Sequence, residues 1–105
     1  MEAWSTDDLK AALDQGTDIF LKVYKSGCGI CKMSEPATRR MEEKNKHNLK
    51  FVSINSDDHP EINEIAGVES YPTFYVFKQS KMKGSFIGFK GLAKLEAFVD
   101  EAVTS

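Results

Sequence analysis

The chain has 105 residues, of which 41% are hydrophobic and 29% charged, with a net charge of −2. That balance belongs to a soluble folded chain long enough for one core and too short for two, so a single domain over 1–105 is expected. Its slight acidity removes the electrostatic case for nucleic acid or an anionic membrane as main partner, and no apolar run approaches the ~20 residues of a membrane span.

The opening "MEAWSTDD" lacks the basic start and apolar centre of a signal peptide, and two cysteines are too few to staple an extracellular scaffold. A cytoplasmic monomer is therefore expected. Ser5 with Asp8 three residues on has the form of a capping arrangement, and "TDDLKAALDQG" places Leu9, Ala12 and Leu13 at helical spacing before Gly16. "DIFLKVY" (18–24) alternates Ile19, Leu21 and Val23 against Phe20, Lys22 and Tyr24 and reads as a strand. From Cys28 to about Lys46 the composition is helical, with a kink expected at Pro36.

"LKFVSIN" (49–55) is the next strand, and "HPEINEIAG" (59–67) a short helix with Pro60 near its first turn and Gly67 after its end. "YPTFYVFK" (71–78) and "GSFIGF" (84–89) read as a hairpin joined by the polar "QSKMK". "LAKLEAFVDEAV" (92–103) sets Leu92, Leu95, Phe98 and Val99 on one face of a closing helix. The order αβαβαββα implies an α/β fold with a mixed sheet and helices on both faces.

Taken alone, "KSGCGICKMSEP" (25–36) fits a working dithiol, half of a metal site, or two small apolar residues that happen to be close. Its place between strand and helix favours the dithiol. Residues three apart on a helix share a face, so Cys28 and Cys31 come within disulfide range. A helix start also supplies unpaired N–H groups that stabilise a thiolate, which makes Cys28 the nucleophile and the more covered Cys31 the resolving thiol. Thiolate Cys28 attacks a client disulfide, and Cys31 then releases the reduced client and leaves Cys28–Cys31 bonded. Gly27 and Gly29 let another backbone come close. Lys25 and Lys32 beside the cysteines make the site locally cationic, and a depressed Cys28 pKa is expected.

Zinc needs four ligands, and only His47 and His59 remain, at no recognised spacing; a metal bridging two chains through paired dithiols stays open. The run "RRMEEKNKHNLK", which holds His47, reads as an exposed helix end, His59 as a solvated turn residue, and Met33 and Met41 as packing on the long helix. Trp4 is expected to pack near the first helix. "KGSFIGFK" is similar to a K-G-F-G-F strand of RNA-binding domains but carries an inserted residue and no second aromatic motif, so RNA is not expected.

"CGICKMSEP" resembles the active-site pattern WCGPCK of the thioredoxin family with its helix-kinking proline, and "GVESYPTFYVFK" resembles that family's cis-proline loop. The likeness runs from about Leu9 to Val103. It implies a thioredoxin fold and thiol–disulfide exchange with disulfide-bearing client proteins, with no bound cofactor beyond the redox-active Cys28–Cys31 disulfide, and recharging by an NADPH-dependent reductase. It also implies that Pro72 is cis and faces the dithiol, that the backbone of Ser70, Tyr71 and Pro72 pairs with substrate, and that Gly27, Gly29, Ile30 and Gly88 border the substrate. Three positions depart from the pattern. Gly27 replaces the tryptophan, Ile30 replaces the proline between the cysteines, and Lys22 replaces the buried aspartate that helps move the proton of the second cysteine. Lys22 can be a buried neutral base, a buried cation that stabilises thiolate, or a chain that snorkels to water. Two other functions remain beside protein-disulfide reduction: an adaptor that binds through the Tyr71–Pro72 edge with little turnover, and a more oxidising or isomerase-like exchanger.

Overall fold

In the computed structural model, which describes residues 1–105, the chain runs β1 (Glu2–Ala3), α1 (Thr6–Asp14), β2 (Ile19–Tyr24), α2 (Gly29–Met33), α3 (Glu35–Lys44), β3 (Lys50–Asn55), α4 (Ile62–Ala66), β4 (Thr73–Lys78), β5 (Lys81–Ile87) and α5 (Leu92–Thr104). The strands form one sheet in the order β1-β3-β2-β4-β5. β1 with β3 and β3 with β2 pair in parallel, whereas β2 with β4 and β4 with β5 pair antiparallel. No helix is long and apolar enough to cross a membrane.

β2 lies at the centre of the sheet, and the strand alternation divides it between two cores. Ile19, Leu21 and Val23 face one side, where Leu9 and Ala12 of α1 and Ile62 of α4 cover them. Phe20 faces the other side, packed with Phe51, Phe74 and Val76 under Met41 of α3 and Leu95, Val99 and Ala102 of α5. The Phe20 ring centroid lies 4.8 Å from that of Phe51 and 5.7 Å from that of Phe74, so one aromatic cluster spans three strands. Burying each such ring contributes about 1.5–3 kcal/mol, which makes this cluster a main anchor of the face that carries Lys22.

Several elements differ from the sequence reading. β1 was not expected: it is two residues long, and its ladder with β3 continues through Trp4 N–H to Ser53 O at 2.8 Å. Trp4 itself packs against the first core. The long helix is split at Ser34, which keeps helical angles (φ −79°, ψ −13°). Pro36 has no N–H to offer the Lys32 carbonyl, so the axis bends there, and the ladder resumes with Thr38 N–H to Ser34 O at 3.0 Å. Met41 is core, but Met33 is 68% exposed, a correction to its expected packing. It follows Cys31 by two positions, roughly 200° around the helix, so burying Cys31 turns Met33 outward.

α3 stops at Lys44 because Asn45 takes the left-handed conformation (φ 39°) and its side chain brackets Leu49, donating to its carbonyl at 3.0 Å and accepting from its N–H at 2.8 Å. His47 consequently lies beyond the helix, half-buried, with Nε2 2.6 Å from Asp100 Oδ1 on α5. The hairpin turn is only Gln79–Ser80, both at positive φ, so β5 begins earlier than expected. Neither residue is a usual turn former at such angles. Tertiary bonds supply the difference: Gln79 N–H donates to Asp18 Oδ1 at 3.1 Å, and Ser80 Oγ donates to the Leu13 carbonyl. α1 begins with the expected capping box, in which Asp8 N–H donates to Ser5 Oγ at 3.1 Å and Ser5 N–H to Asp8 Oδ2 at 2.9 Å.

Ser5→Ala removes one arm of that box. Urea unfolding should show a loss of about 1 kcal/mol with an unchanged slope, whereas an unchanged midpoint would mean that α1 is held by packing alone.

Candidate active site

The dithiol is positioned by the end of β2 and the start of α2. Between them Gly27 adopts φ 73°, a left-handed angle that favours glycine, and the loop is tied to the end of β3. Ser26 N–H donates to Asp57 Oδ2 at 2.9 Å, and Asn55 Nδ2 donates to Ser26 Oγ at 3.2 Å. Cys28 is then the N-cap of α2, in extended conformation, and its Sγ accepts the Cys31 backbone N–H at 3.2 Å. A sulfur thus occupies the position where a serine or aspartate oxygen commonly caps a helix, with a donor aimed at it.

Cys28 and Cys31 form a disulfide, with Cα atoms 5.3 Å apart. Cys28 is half-buried, while Cys31 is 3% exposed. The Cys31 carbonyl accepts from Lys22 Nζ at 2.8 Å and from Ser34 Oγ at 2.7 Å, which uses both of its lone pairs. Lys22 is 5% exposed and lies in register between Ser53 of β3 and Phe74 of β4. Of the three courses open to this side chain, snorkelling is the one it does not take. Burial pushes the Lys22 ammonium below its ordinary value, and the negative charge of Glu35 on α3 partly opposes that shift.

A cavity of about 280 Å³ opens beside these groups, with Lys22, Lys25, Gly27, Cys28, Cys31 and Lys32 in its wall. Glu35, Thr38 and Arg39 of α3 and Ser53 complete much of it. The other expected residues are not part of the cavity wall. Gly29 and Ile30 are exposed on α2, Ile30 by 51%. The Tyr71–Pro72 peptide bond is cis, Pro72 is buried, and its carbonyl accepts from Gly88 N–H at 2.7 Å, with Gly88 at φ 81°. Ser70 is exposed and accepts from Thr73 Oγ1 at 2.7 Å. Tyr71 donates its hydroxyl to Asn63 Oδ1 at 2.9 Å, and its ring centroid lies 5.4 Å from Lys25 Nζ, which links the proline loop to the cavity wall.

The sequence model of the thioredoxin family matches residues 2–101. The chain belongs to the thioredoxin family. It is 35% identical to a thioredoxin of Callithrix jacchus over 101 residues, 94% of each chain, and 31% identical to one of Porphyra purpurea over 86 residues, 82% of this chain and 80% of that one. Among solved structures, a thioredoxin from Nicotiana alata superposes with a TM-score of 0.85 at 26% identity, covering 96% of this chain and 90% of that one. Membership of the thioredoxin family, together with the bonded cysteine pair, makes the chain a thiol–disulfide oxidoreductase.

Glu35, Arg39, Ser34 and Ser53 were missed by the sequence reading. Glu35 and Arg39 follow Cys31 at four-residue intervals and share its helix face, a spacing that was there to be read. Ser53 comes beside Lys22 only through the β2–β3 register, for which the sequence carries no local signal.

Burial of the Lys22 ammonium yields a test with a definite sign. Because its folded-state pKa lies below the ordinary 10.5, the unfolded state binds the extra proton in the window between the two, and wild-type stability rises with pH there. Lys22→Met in the oxidised protein should therefore be more stable at neutral pH, by about 1 kcal/mol, with the advantage shrinking as pH approaches the ordinary lysine value. Thermal unfolding across pH measures this, and a variant less stable at every pH would show that the bond to the Cys31 carbonyl outweighs desolvation.

Proposed function

We propose that the chain reduces protein disulfides, with Cys28 as attacking thiolate and Cys31 as resolving thiol. The observation that carries this reading is the Cys31 N–H donated to Cys28 Sγ at 3.2 Å, which favours negative charge on the more accessible sulfur. Reduced Cys28 attacks a client disulfide, one client sulfur leaves as thiolate, and Cys31 then displaces the second client sulfur by attacking Cys28 Sγ. In this reading Lys22, bonded to the Cys31 carbonyl and shifted toward neutrality by burial, tunes the proton balance of Cys31. Tyr71 makes no backbone hydrogen bond within the chain, and Ser70, Tyr71 and Pro72 receive the client backbone as an added strand, with Gly27, Gly29, Ile30 and Gly88 bordering it.

The finer points rest on the family likeness and on composition. An NADPH-dependent thioredoxin reductase reopens the Cys28–Cys31 disulfide. The chain acts as a single-domain cytoplasmic monomer in the electron transfer that maintains cell redox homeostasis. One feature favours a second reading, an adaptor with little turnover: Ile30 and Met33 present exposed apolar surface next to the cysteines, 51% and 68% exposed.

Insulin-disulfide reduction by dithiothreitol separates the two. Wild type should accelerate precipitation, Cys28→Ser should fall to the dithiothreitol background, and Lys22→Asp should turn over with a displaced pH profile. Equal, background rates for all three would favour the adaptor, and a measured Cys28–Cys31 potential near those of known oxidants would reverse the proposed direction of exchange.

A further inference from the structure

We propose that the cavity beside the dithiol is a subsite for small anionic disulfides, which this chain reduces in addition to disulfides on proteins. The inference rests on the exchange chemistry proposed above and adds a substrate class to it. Four cations, Lys22, Lys25, Lys32 and Arg39, stand in the cavity wall against one carboxylate, Glu35, in a chain whose net charge is −2. None of the four makes an ion pair; the chain's ion pairs are Met1–Glu42, Lys46–Asp100, His47–Asp100, Lys50–Glu2 and His59–Glu61. The positive charge of the cavity is therefore left for a ligand.

Lys22 strengthens the case because its ammonium is buried. One of its three N–H donors goes to the Cys31 carbonyl and the Tyr24 ring centroid lies 5.6 Å from Nζ, but no second hydrogen-bond acceptor within the chain takes the remaining donors. A buried ammonium with one hydrogen bond is only partly satisfied, and an anionic group in the cavity would complete it. About 280 Å³ lies at the small end of ligand sites and suits a compact molecule better than a peptide strand. Access to sulfur is open as well. Cys28 and Cys31 both line the cavity, and Gly27 beside them carries no side chain; a Cβ built there would meet nothing within 4 Å.

The reaction balances without any further reagent. The Cys28 thiolate attacks one sulfur of a dicarboxylate disulfide, the substrate S–S bond breaks, and one mercaptocarboxylate leaves. The Cys31 thiolate then attacks Cys28 Sγ and expels the second. Two protein thiols are oxidised to one disulfide, one substrate disulfide is reduced to two thiols, and the two protons of the protein dithiol go to the products or to solvent.

The test uses the pre-reduced full chain and three disulfides of similar size: dithiodipropionate (dianion), bis(2-hydroxyethyl) disulfide (neutral) and cystamine (dication). Acid quenching, alkylation and mass measurement give the rate of protein oxidation, and each rate is divided by that of dithiothreitol with the same disulfide. The normalised rates should fall from dianion to neutral to dication, with about a tenfold lead of the dianion over the neutral compound at low salt. Arg39→Glu in the cavity wall should lower that lead severalfold. Lys94→Glu, on exposed α5 and equal in charge change, should retain it. Equal normalised rates, or the same fall with Lys94→Glu, overturn the subsite while leaving protein-disulfide exchange standing. No oxidation by any of the three overturns the subsite alone if insulin reduction is retained, and overturns both if insulin reduction is also at background.

Discussion

A lysine ammonium on the central strand of a sheet must find acceptors or lose its charge, and Lys22 finds the carbonyl of Cys31. That bond couples β2 to the helix carrying the dithiol. It also explains how the end of α2 is held, since Ser34 Oγ donates to the same oxygen and together the two donors use its lone pairs. The kink that Pro36 imposes comes directly after. Beyond it, α3 continues over Phe20, Phe51 and Phe74 through Met41. The redox pair rests on a polar contact at one end of an otherwise apolar face. The aromatic cluster supplies the stiffness, and the lysine supplies the chemical coupling.

That division of labour has an electrostatic consequence. An ionised carboxylate beneath the resolving cysteine can accept its proton but, for as long as it stays ionised, disfavours the thiolate, whereas a lysine in the same place takes the proton only when neutral and attracts the thiolate when charged. Burial moves Lys22 toward the first behaviour, and Glu35 moves it back. The two effects come from different elements, β2 and α3, and the Pro36 kink sets how those elements meet. The balance between base and counter-ion is therefore a property of the fold at the kink more than of either side chain.

The parts of this arrangement that local chemistry determines were legible beforehand. The Ser5–Asp8 capping box, the two-faced alternation of β2, the left-handed Gly67 after α4 and the cysteine spacing at a strand-to-helix junction are all signals within a few residues, and each appears in the structure. What escaped depends on contacts between distant segments. β1 is two residues long and exists through pairing with β3. Gln79 and Ser80 adopt positive φ because Asp18 and Leu13 hold them. Within the site, Ser53 reaches Lys22 by register alone, whereas Glu35 and Arg39 stood at helical spacing from Cys31, and Arg39 was overlooked because the charged run it begins reads as an exposed helix end.

Two of the three departures from the family pattern, Gly27 and Lys22, are linked through the same cavity. Position 27 does not merely lack an indole: its φ of 73° is an angle that side chains with a Cβ rarely adopt, and the neighbouring Ser26 is fixed to Asp57 and Asn55. A tryptophan there would require the loop to change its path and give up those bonds. The glycine leaves the wall open beside Cys28, and the opened wall is the one into which Lys22, Lys25, Lys32 and Arg39 bring positive charge. Gly27 and Lys22 therefore act together. One removes the flat apolar cover beside the attacking sulfur, and the other puts an ammonium beneath the resolving one, so apolar contact on this side of the dithiol gives way to charge.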